Sequence, residues 1–355
     1  MRSKEDIIYI NGRFLTQNLT GVQRYAIEIV KQLDKMNVGV KFILLMPKVE
    51  SKINIKLDNI EIQKIGKYKG HLWEQMSLPL FIKKNGRNRL LNLCNLAPIM
   101  YPGYITIHDI SFKTHPEHLN WKFSLWYKIV TLLNIKRYKH IFVVSEFSKK
   151  EIIDNYKIDE AKLTVTYNSA EHMRNIIPDE NILEKLNLNK KEFYFSLGNK
   201  SPHKNFKFIF QCAQNNPDKC FVVSGNENNK IFAKNENKNK PNNLIFTGYI
   251  TDEEMVALYK KCKAFIFPSL YEGFGIPPLE AINVGCKNVI LSNIPVLQEI
   301  YGSSVKYFDI NNQDNESKNI CKLSEKPIEL DDIVSKYTWE KSAKILMKKM
   351  YERKK

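Results

Sequence analysis

Two series of alternating strand-like and helix-like segments, separated by a polar connector, constrain the fold of this 355-residue chain more than any other feature. Short solid apolar runs predict buried strands. In the first series they are Ile7–Ile10, Val40–Met46, Arg89–Leu93, Tyr104–His108 and His140–Val144. In the second they are Phe193–Leu197, Cys220–Ser224, Leu244–Phe246, Ala264–Pro268, Asn288–Leu291 and Val305–Phe308. Because strands that alternate with helices pair in parallel, we expect two doubly wound α/β domains.

Helix-like segments lie between these strands, and two of them begin with a capping pattern. Thr20 with Gln23 and Thr251 with Glu254 have the spacing of a capping box. The other predicted helices are Leu72–Ile82, Trp121–Arg137, Glu146–Tyr156, one from Lys204, Pro277–Val284, Pro295–Ile300 and one from Thr338. We expect residues 1–172 and 173–335 to form the two domains, with a helix in 336–355 that crosses back to the first.

The charge balance is strongly basic, with 55 Lys and Arg against 38 Asp and Glu and a net charge of +17. Such a chain favours nucleic acid, an anionic membrane or a phosphorylated substrate as a partner. Only eight of the 55 are Arg, however, and the chain is rich in Asn, Ile and Lys, which is also typical of a biased genome.

The cysteines and the apolar segments bear on the compartment of the protein. None of the six cysteines forms a C-x-x-C pair, so the sequence predicts buried, reduced thiols in a cytoplasmic protein rather than a zinc cluster. No signal-peptide pattern begins the chain. The longest stretch without a charged residue, Leu90–Ile107, contains Pro98, Pro102 and Gly103 and cannot be one spanning helix.

The segment from Ala264 to Ser292 carries the most chemical information. A buried strand ends at Pro268, a loop holds Glu272, Phe274 and Gly275, and a helix follows. Glycines allow backbone amides to approach a ligand, and the start of a helix favours negative charge. Because carboxylates accept hydrogen bonds from hydroxyl groups, Glu272 and Glu280 beside such a helix end favour a ligand with both phosphates and sugars. A nucleotide sugar fits this description.

The amino-acid sequence of this segment also resembles a motif of a known family. E-G-F-G-I-P-P-L-E at Glu272–Glu280 is similar to the E-x7-E motif of the retaining family-4 glycosyltransferases, also called glycosyl transferases group 1. Further blocks match this family in the same order: Gly12–Tyr25, His108–Phe112, Ser145–Lys150, Gly198–Asn205, Thr247–Glu254 and Tyr337–Ala343. The resemblance implies the GT-B fold, with two Rossmann-like domains facing each other across a cleft, the first for the acceptor and the second for the donor.

The resemblance implies donor-binding roles in the second domain. Glu280 would bind the ribose and Glu272 the donor sugar. The backbone amides of Phe274 and Gly275 would lie beside them, and Lys204 would neutralise the diphosphate. Tyr249 and Ile250 stand at the positions where the family contacts the base.

The resemblance also implies roles in the first domain. Gly21 would lie under the donor phosphates. His108 would orient the donor sugar or the acceptor hydroxyl, with Asp109 supporting it. We expect His108, Asp109 and Glu272 to be the catalytic set, acting without a metal ion or other cofactor, because no D-x-D follows a predicted strand.

Two departures from the family pattern affect this assignment. Many members have an arginine six residues before the diphosphate lysine, where this chain has Gly198, so Lys200 or His203 is the candidate substitute. The first loop has one glycine where many relatives have two, which leaves the role of Gly21 open.

Aromatic and basic residues are interleaved in the first domain. The segment 121–140 contains Trp121, Phe123, Trp126 and Tyr127 among Lys122, Lys128, Lys136, Arg137 and Lys139, and a second basic group is Lys83, Lys84, Arg87 and Arg89. This pattern predicts either a peripheral membrane face for a lipid-linked acceptor or an ordinary amphipathic core helix.

We expect a retaining hexosyltransferase of surface polysaccharide or lipopolysaccharide-type biosynthesis, at the inner face of the cytoplasmic membrane. Its partners would be a nucleotide sugar, a glycan or lipid-linked acceptor and an anionic membrane, without nucleic acid. Two alternatives stay open: a nucleotide-sugar epimerase of the same fold and a basic nucleic-acid-binding protein, the latter disfavoured by the scarcity of Arg.

Overall fold

The computed structural model describes residues 6–36, 39–85, 89–198, 201–225, 240–325 and 331–351. Its internal contacts divide the chain into two compact units. The first comprises Met1–Asn168 with Trp339–Lys355, and the second comprises Ser169–Thr338.

The first unit is built on a seven-stranded parallel sheet. Its strands are β1 Ile7–Asn11, β2 Lys41–Pro47, β3 Glu61–Ile65, β4 Arg89–Asn92, β5 Tyr104–Ile107, β6 His140–Val143 and β7 Leu163–Val165, in the order β3-β2-β1-β4-β5-β6-β7. Its helices are α1 Gly21–Lys35, α2 Gly70–Leu72, α3 Leu78–Lys84, α4 Ser111–Thr114, α5 Trp121–Asn134 and α6 Glu146–Tyr156, and the C-terminal helix Trp339–Tyr351. The strand order reverses direction between β1 and β4, where open α/β sheets bind ligands at the carboxyl ends.

The second unit repeats this topology with six parallel strands. They are β8 Phe193–Leu197, β9 Cys220–Ser224, β10 Leu244–Phe246, β11 Ala264–Phe267, β12 Val289–Ser292 and β13 Lys306–Phe308, in the order β10-β9-β8-β11-β12-β13. Its helices are α7 Asn181–Lys185, α8 Phe206–Asn215, α9 Asp252–Lys261, α10 Ile276–Asn283, α11 Pro295–Tyr301, α12 Gln313–Asn319 and α13 Asp331–Lys336. Here the order reverses between β8 and β11. Two doubly wound α/β domains are therefore confirmed.

Short turns of other helical types complete both units. A π-helical turn, Trp73–Ser77, joins α2 to α3. The 3-10 turns are Gly12–Thr16, Pro116–His118, Glu160–Lys162, Glu171–Met173, Pro202–Lys204, Ile310–Asn312 and Lys322–Glu325.

Both sheets are covered on their two faces, which explains why their strands read as solid apolar runs. In the second unit Phe208 of α8 stacks on Phe308 of β13 with ring centroids 4.1 Å apart, inside one apolar cluster. In the first unit one cluster lies between α6 and strands β5, β6 and β7, and another surrounds Trp73. All six cysteines are free, three of them buried and three half-buried.

The structure corrects the predicted cap of α1 and the predicted end of α5. The side chain of Thr20 does not cap α1; its hydroxyl instead donates to the side chain of Gln23, so the predicted capping box is wrong. Thr251 and Glu254 form the full reciprocal box at α9, as predicted. Helix α5 ends at Asn134 rather than Arg137. Most of the Asn-rich stretch that follows β9 lies outside the described residues.

Among the described residues, no helix combines the length and apolar character needed to span a membrane.

Candidate functional site

The loop between β11 and α10 has a tightly determined backbone. Gly275, immediately before α10, has a φ of +87°, a left-handed conformation that favours glycine. A Cβ at this position would lie 2.6 Å from Cδ2 of Leu297. The carbonyl oxygen of Gly275 accepts a hydrogen bond from the Tyr301 hydroxyl. Packing from α11 therefore holds the turn close against the start of α10, leaving no room for a side chain.

Lys204 and Glu272 form an ion pair at the point where the strand order reverses. Lys204 follows β8, Glu272 follows β11, and these two strands are neighbours in the sheet. The Lys204 Nζ lies 2.5 Å from Oε1 of Glu272 and 5.2 Å from the centroid of the Phe267 ring. Their side chains are only 20% and 14% exposed, so this pair is largely shielded from water. The family resemblance predicts that both residues bind the donor, and the fold brings their charged atoms together.

Glu280 has a partner that the sequence did not indicate. His172, in the 3-10 turn Glu171–Met173, places its Nε2 3.1 Å from Oε1 of Glu280. Both side chains are mostly buried, His172 at 4% and Glu280 at 11% exposure. The two residues are 108 positions apart, so a contact of this kind follows from the tertiary fold and has no local sequence signal.

The other residues predicted for the donor site differ in their exposure to solvent. Tyr249 is exposed and Ile250 half-buried, just after Gly248, which exchanges two backbone hydrogen bonds with Gly225. The ring of Phe274 is buried and packs edge-on against Tyr337, with centroids 5.6 Å apart. The side chain of Phe274 therefore serves packing, and only its backbone is available to a ligand. Lys200 lies outside the described residues.

Gly198 occupies the position where many family members have a residue that supports the diphosphate lysine. A Cβ on Gly198 would lie 2.2 Å from the carbonyl oxygen of Ser224, in the adjacent strand. The backbone at this point accepts no side chain without moving. An arginine at this position would therefore require the backbone of β8 or β9 to shift.

In the first unit, His108 lies at the carboxyl end of β5 and is buried. Its Nε2 is 3.0 Å from the carbonyl oxygen of Leu93, and its ring packs edge-on against Tyr25 with centroids 4.9 Å apart. Burial lowers the pKa of the imidazole below its usual value. Because Nε2 faces a carbonyl, that nitrogen carries the proton of a neutral ring.

Asp109 and Gly21 contribute to backbone geometry. The Oδ1 of Asp109 accepts a hydrogen bond of 2.9 Å from the amide of Ser111 and so shapes the turn into α4. Gly21 is the first residue of α1 and is exposed. Its amide belongs to the first turn of that helix, where backbone N–H groups lack helical partners.

In the described part of the chain, three side chains of kinds that bind metal ions lie close together. Atoms of His115, Glu117 and His118 lie within 4.8 Å of one another, in the first unit. The carboxylate of Glu117 is exposed, and the set is separate in sequence from every predicted site residue.

Comparison with family models assigns both halves of the chain. Residues 178–340 match the model described as glycosyl transferases group 1, and residues 19–172 match the model described as glycosyltransferase family 4.

Individual proteins give the same result. O-antigen chain mannosyltransferase B of Escherichia coli is 30% identical over 338 residues, covering 85% of this chain and 86% of the relative. O-antigen chain mannosyltransferase RfbU of Salmonella typhimurium is 27% identical, covering 75% of this chain and 74% of the relative. The crystal structure of Anabaena HepE in complex with UDP and glucose superposes with a TM-score of 0.67 at 14% identity, covering 98% of this chain and 100% of that one.

Proposed function

The chain belongs to the family-4 glycosyltransferases, and from this membership we propose that it transfers a mannosyl residue from a nucleotide sugar to a growing surface polysaccharide of the O-antigen type. The two relatives named above are O-antigen chain mannosyltransferases, which supports both the sugar and the pathway. The solved structure of HepE holds UDP and glucose, which supports a nucleoside diphosphate sugar as donor.

The Lys204–Glu272 pair is the observation that carries the donor-site proposal. A diphosphate group would attract the Lys204 ammonium away from the carboxylate, because phosphate oxygens carry more charge. The Glu272 carboxylate would then be available to accept hydrogen bonds from sugar hydroxyls. Glu280, held by His172, would accept those of the ribose. Binding of the donor thus exchanges an internal ion pair for contacts with the two ends of the ligand.

Departure of the nucleoside diphosphate is the step that needs stabilisation. Negative charge develops on the leaving phosphate, and the Lys204 ammonium with the amides around Gly275 would stabilise it. We therefore expect turnover without a divalent metal ion. We also expect the sugar to keep its anomeric configuration through front-face attack, with the proton of the acceptor hydroxyl passing to the leaving phosphate.

The proposed donor site is tested by purified protein and a panel of GDP- and UDP-sugars, measured by thermal shift and then by product release. Lys204→Ala and Glu272→Ala should each abolish transfer while the protein stays folded. Lys263→Ala is the matched control, because Lys263 forms an ion pair of 2.8 Å with Glu192 on the exposed surface of the same unit. Normal turnover in both site variants would refute the site. Activity in EDTA and the anomeric form of the product test the metal and stereochemical proposals.

An unusual surface in the first unit supports a peripheral membrane location. Helix α5 buries Ser124, Val130, Thr131 and Asn134 but exposes six apolar residues: Trp121, Phe123, Leu125, Ile129, Leu132 and Leu133. Leu72, Met76 and Leu80, on the α2–α3 segment, are exposed as well. His71 of this segment packs against Trp126 of α5, so the two elements are neighbours. We call these nine residues the apolar face.

The apolar face is accompanied by positive charge. Exposed basic residues on the same two elements or just after them are Lys83, Lys84, Lys122, Lys136 and Arg137. Exposed apolar side chains bounded by lysines are what an anionic lipid surface binds. We propose that this face rests on the cytoplasmic leaflet, where a lipid-linked acceptor would be found.

The two alternative functions have distinct signatures. An epimerase would convert a nucleotide sugar without an acceptor and has no need for an exposed aromatic and basic face, so the apolar face favours a transferase. A nucleic-acid-binding protein would give a salt-sensitive gel shift.

A further inference from the structure

A buried polar cluster occupies the point in the first unit where the strand order reverses. Asn11 ends β1 and Asn92 ends β4, and the Nδ2 of Asn11 lies 3.0 Å from Oδ1 of Asn92. The same Nδ2 donates over 2.8 Å to Oε1 of Glu74, which also accepts from Nε of Arg13 over 3.1 Å. All four side chains are nearly inaccessible to solvent. This position in an open α/β sheet is where ligands bind.

An irregular helical turn places Glu74 in this cluster. The amide of Leu78 donates to the carbonyl of Trp73, five residues earlier, which makes Trp73–Ser77 a π-helical turn. The Trp73 side chain anchors the turn by donating from Nε1 to the carbonyl oxygen of Ile65 over 2.9 Å. Single π turns inside α-helices are rare and occur frequently at functional sites.

The second oxygen of Glu74 points toward His71. Glu74 Oε2 is buried, and Nδ1 of His71 lies 3.4 Å from it. Arg13 and the bonds from His71 and Asn11 lower the pKa of the Glu74 carboxyl against the opposite effect of burial. A carboxylate facing Nδ1 fixes the proton there and leaves Nε2 of His71 as a hydrogen-bond acceptor.

His71 is the accessible member of this group. Its side chain is 38% exposed, whereas that of Glu74 is 1% exposed. The ring packs edge-on against Trp126, with centroids 5.9 Å apart, and the Trp126 Nε1 is buried without an acceptor among the described residues. An acceptor nitrogen on a partly exposed imidazole, next to an aromatic ring, is a combination that binds a hydroxylated ring.

We propose that His71 and Trp126, with Glu74 and Arg13 behind them, bind the terminal saccharide of a lipid-linked acceptor. This inference rests on the transferase function proposed above and assigns the acceptor class and its binding residues. His71 accepts a hydrogen bond from a sugar hydroxyl through Nε2, and the half-buried ring of Trp126 packs against the sugar. Glu74 is a positioning residue, because it acts on the sugar through the orientation of His71.

The surroundings of His71 explain the lipid part of the proposal. Leu72 and Met76, which follow in the same segment, are exposed members of the apolar face. A saccharide bound at His71 therefore has an apolar surface beside it on the protein. An alkyl chain attached to the saccharide would bury apolar area there.

The test measures binding of octyl and methyl glycosides by titration calorimetry, with α-mannoside, β-glucoside and β-galactoside as the sugars. We expect wild-type protein to bind at least one octyl glycoside more tightly than its methyl counterpart. His71→Ala should weaken that binding about tenfold, and Glu74→Gln should have a similar effect. His115→Ala is the matched control: its side chain is also 38% exposed, and its Nδ1 also lies 3.4 Å from a carboxylate, that of the exposed Glu117.

Each outcome decides the inference. A loss in His71→Ala that His115→Ala does not show, with unchanged thermal unfolding and unchanged nucleotide-sugar affinity, supports it. Equal binding by wild type and His71→Ala overturns it, and so does failure of wild-type protein to bind any octyl glycoside. His71 is partly exposed, so this variant stays informative even if Glu74→Gln leaves the buried Arg13 unpaired and the protein unfolded. Failure of the wild-type protein to bind any nucleotide sugar would instead refute the proposed function.

Discussion

Single residues in the loop between β11 and α10 show why this segment tolerates little change. Gly275→Ala would place a methyl group against Leu297 and hold alanine at a φ of +87°. We expect the second unit to lose about 2–4 kcal/mol, the sum of the left-handed penalty and the cost of overpacking. Gly285 has a φ of +93° but nothing within 4 Å of its Cβ position, so Gly285→Ala should cost only about 1–2 kcal/mol. Calorimetry on both variants measures the difference, and equal losses would contradict it.

His108 leads to a prediction about pH at the same scale. Burial lowers the pKa of this imidazole in the folded protein, so the unfolded chain takes up a proton first as the pH falls. The contribution of His108 is therefore fully present above pH about 6.5 and decreases as the pH drops toward the folded pKa, with a slope of up to about 1.4 kcal/mol per pH unit.

The four tryptophans make this measurable. All of them lie in the first unit, so their fluorescence reports the unfolding of that unit alone. Urea unfolding between pH 7 and 5 should show a shallower pH dependence in His108→Gln than in wild-type protein. Identical slopes would show that His108 binds protons equally well in both states.

At this scale the sequence predicted residue types better than contacts. Glu272, Gly275 and Lys204 could be selected because a glycine turn, a helix start and a strand end leave local patterns. The partners His172 and Glu74 could not, because each meets its neighbour across 60 or more positions of chain. The blocked position at Gly198 also depends on an adjacent strand.

Helix caps provide a prediction at the scale of elements. The Thr251 hydroxyl accepts a hydrogen bond of 3.2 Å from the amide of Glu254, and the Thr251 amide donates one of 2.9 Å to the Glu254 carboxylate. Because the first of these bonds is lost, Thr251→Ala should destabilise the second unit by about 1 kcal/mol. Thr20 makes no bond to the backbone of α1, and Thr20→Ala should cost the first unit clearly less. Calorimetric midpoints of the two variants test this contrast. A larger loss in Thr20→Ala would show that the hydroxyl caps α1 in solution.

Strands and helices could be predicted where burial requires a recognisable pattern of apolar residues. Strands such as Phe193–Leu197 and Cys220–Ser224 were predicted with their exact bounds, since both faces of a parallel sheet are covered. The edge strand β3 was not predicted, because Glu61–Ile65 has only one buried residue and no solid apolar run. The π-helical turn escaped prediction as well: its one-residue offset is stabilised by Trp73 and Glu74 contacts with distant strands.

At the scale of the whole molecule, each unit is a complete sheet with its own reversal of strand order, and each reversal point carries a charge pair that is buried in the first unit and half-buried in the second. In the second unit this pair is Lys204 with Glu272, and in the first it is Arg13 with Glu74. Paired charges are expensive to bury, and removing one partner costs more than never burying them. Both units thus carry a charge pair at the point where the strand order reverses. This is consistent with one ligand site for each substrate.

The net charge of +17 and the apolar face together predict membrane binding of the whole protein. Wild-type protein should float with vesicles of phosphatidylglycerol and phosphatidylcholine, and less with phosphatidylcholine alone or at high salt, because lysines bind anionic lipid electrostatically. Trp121→Ser combined with Leu132→Ser removes two side chains that are 67% and 68% exposed and should reduce flotation several-fold. Ile177→Ser is the control, since Ile177 is 82% exposed but lies in the second unit. If wild-type protein stays at the bottom of the gradient with anionic vesicles at low salt, or if Ile177→Ser loses as much binding as the double variant, the apolar face is not the membrane-binding surface.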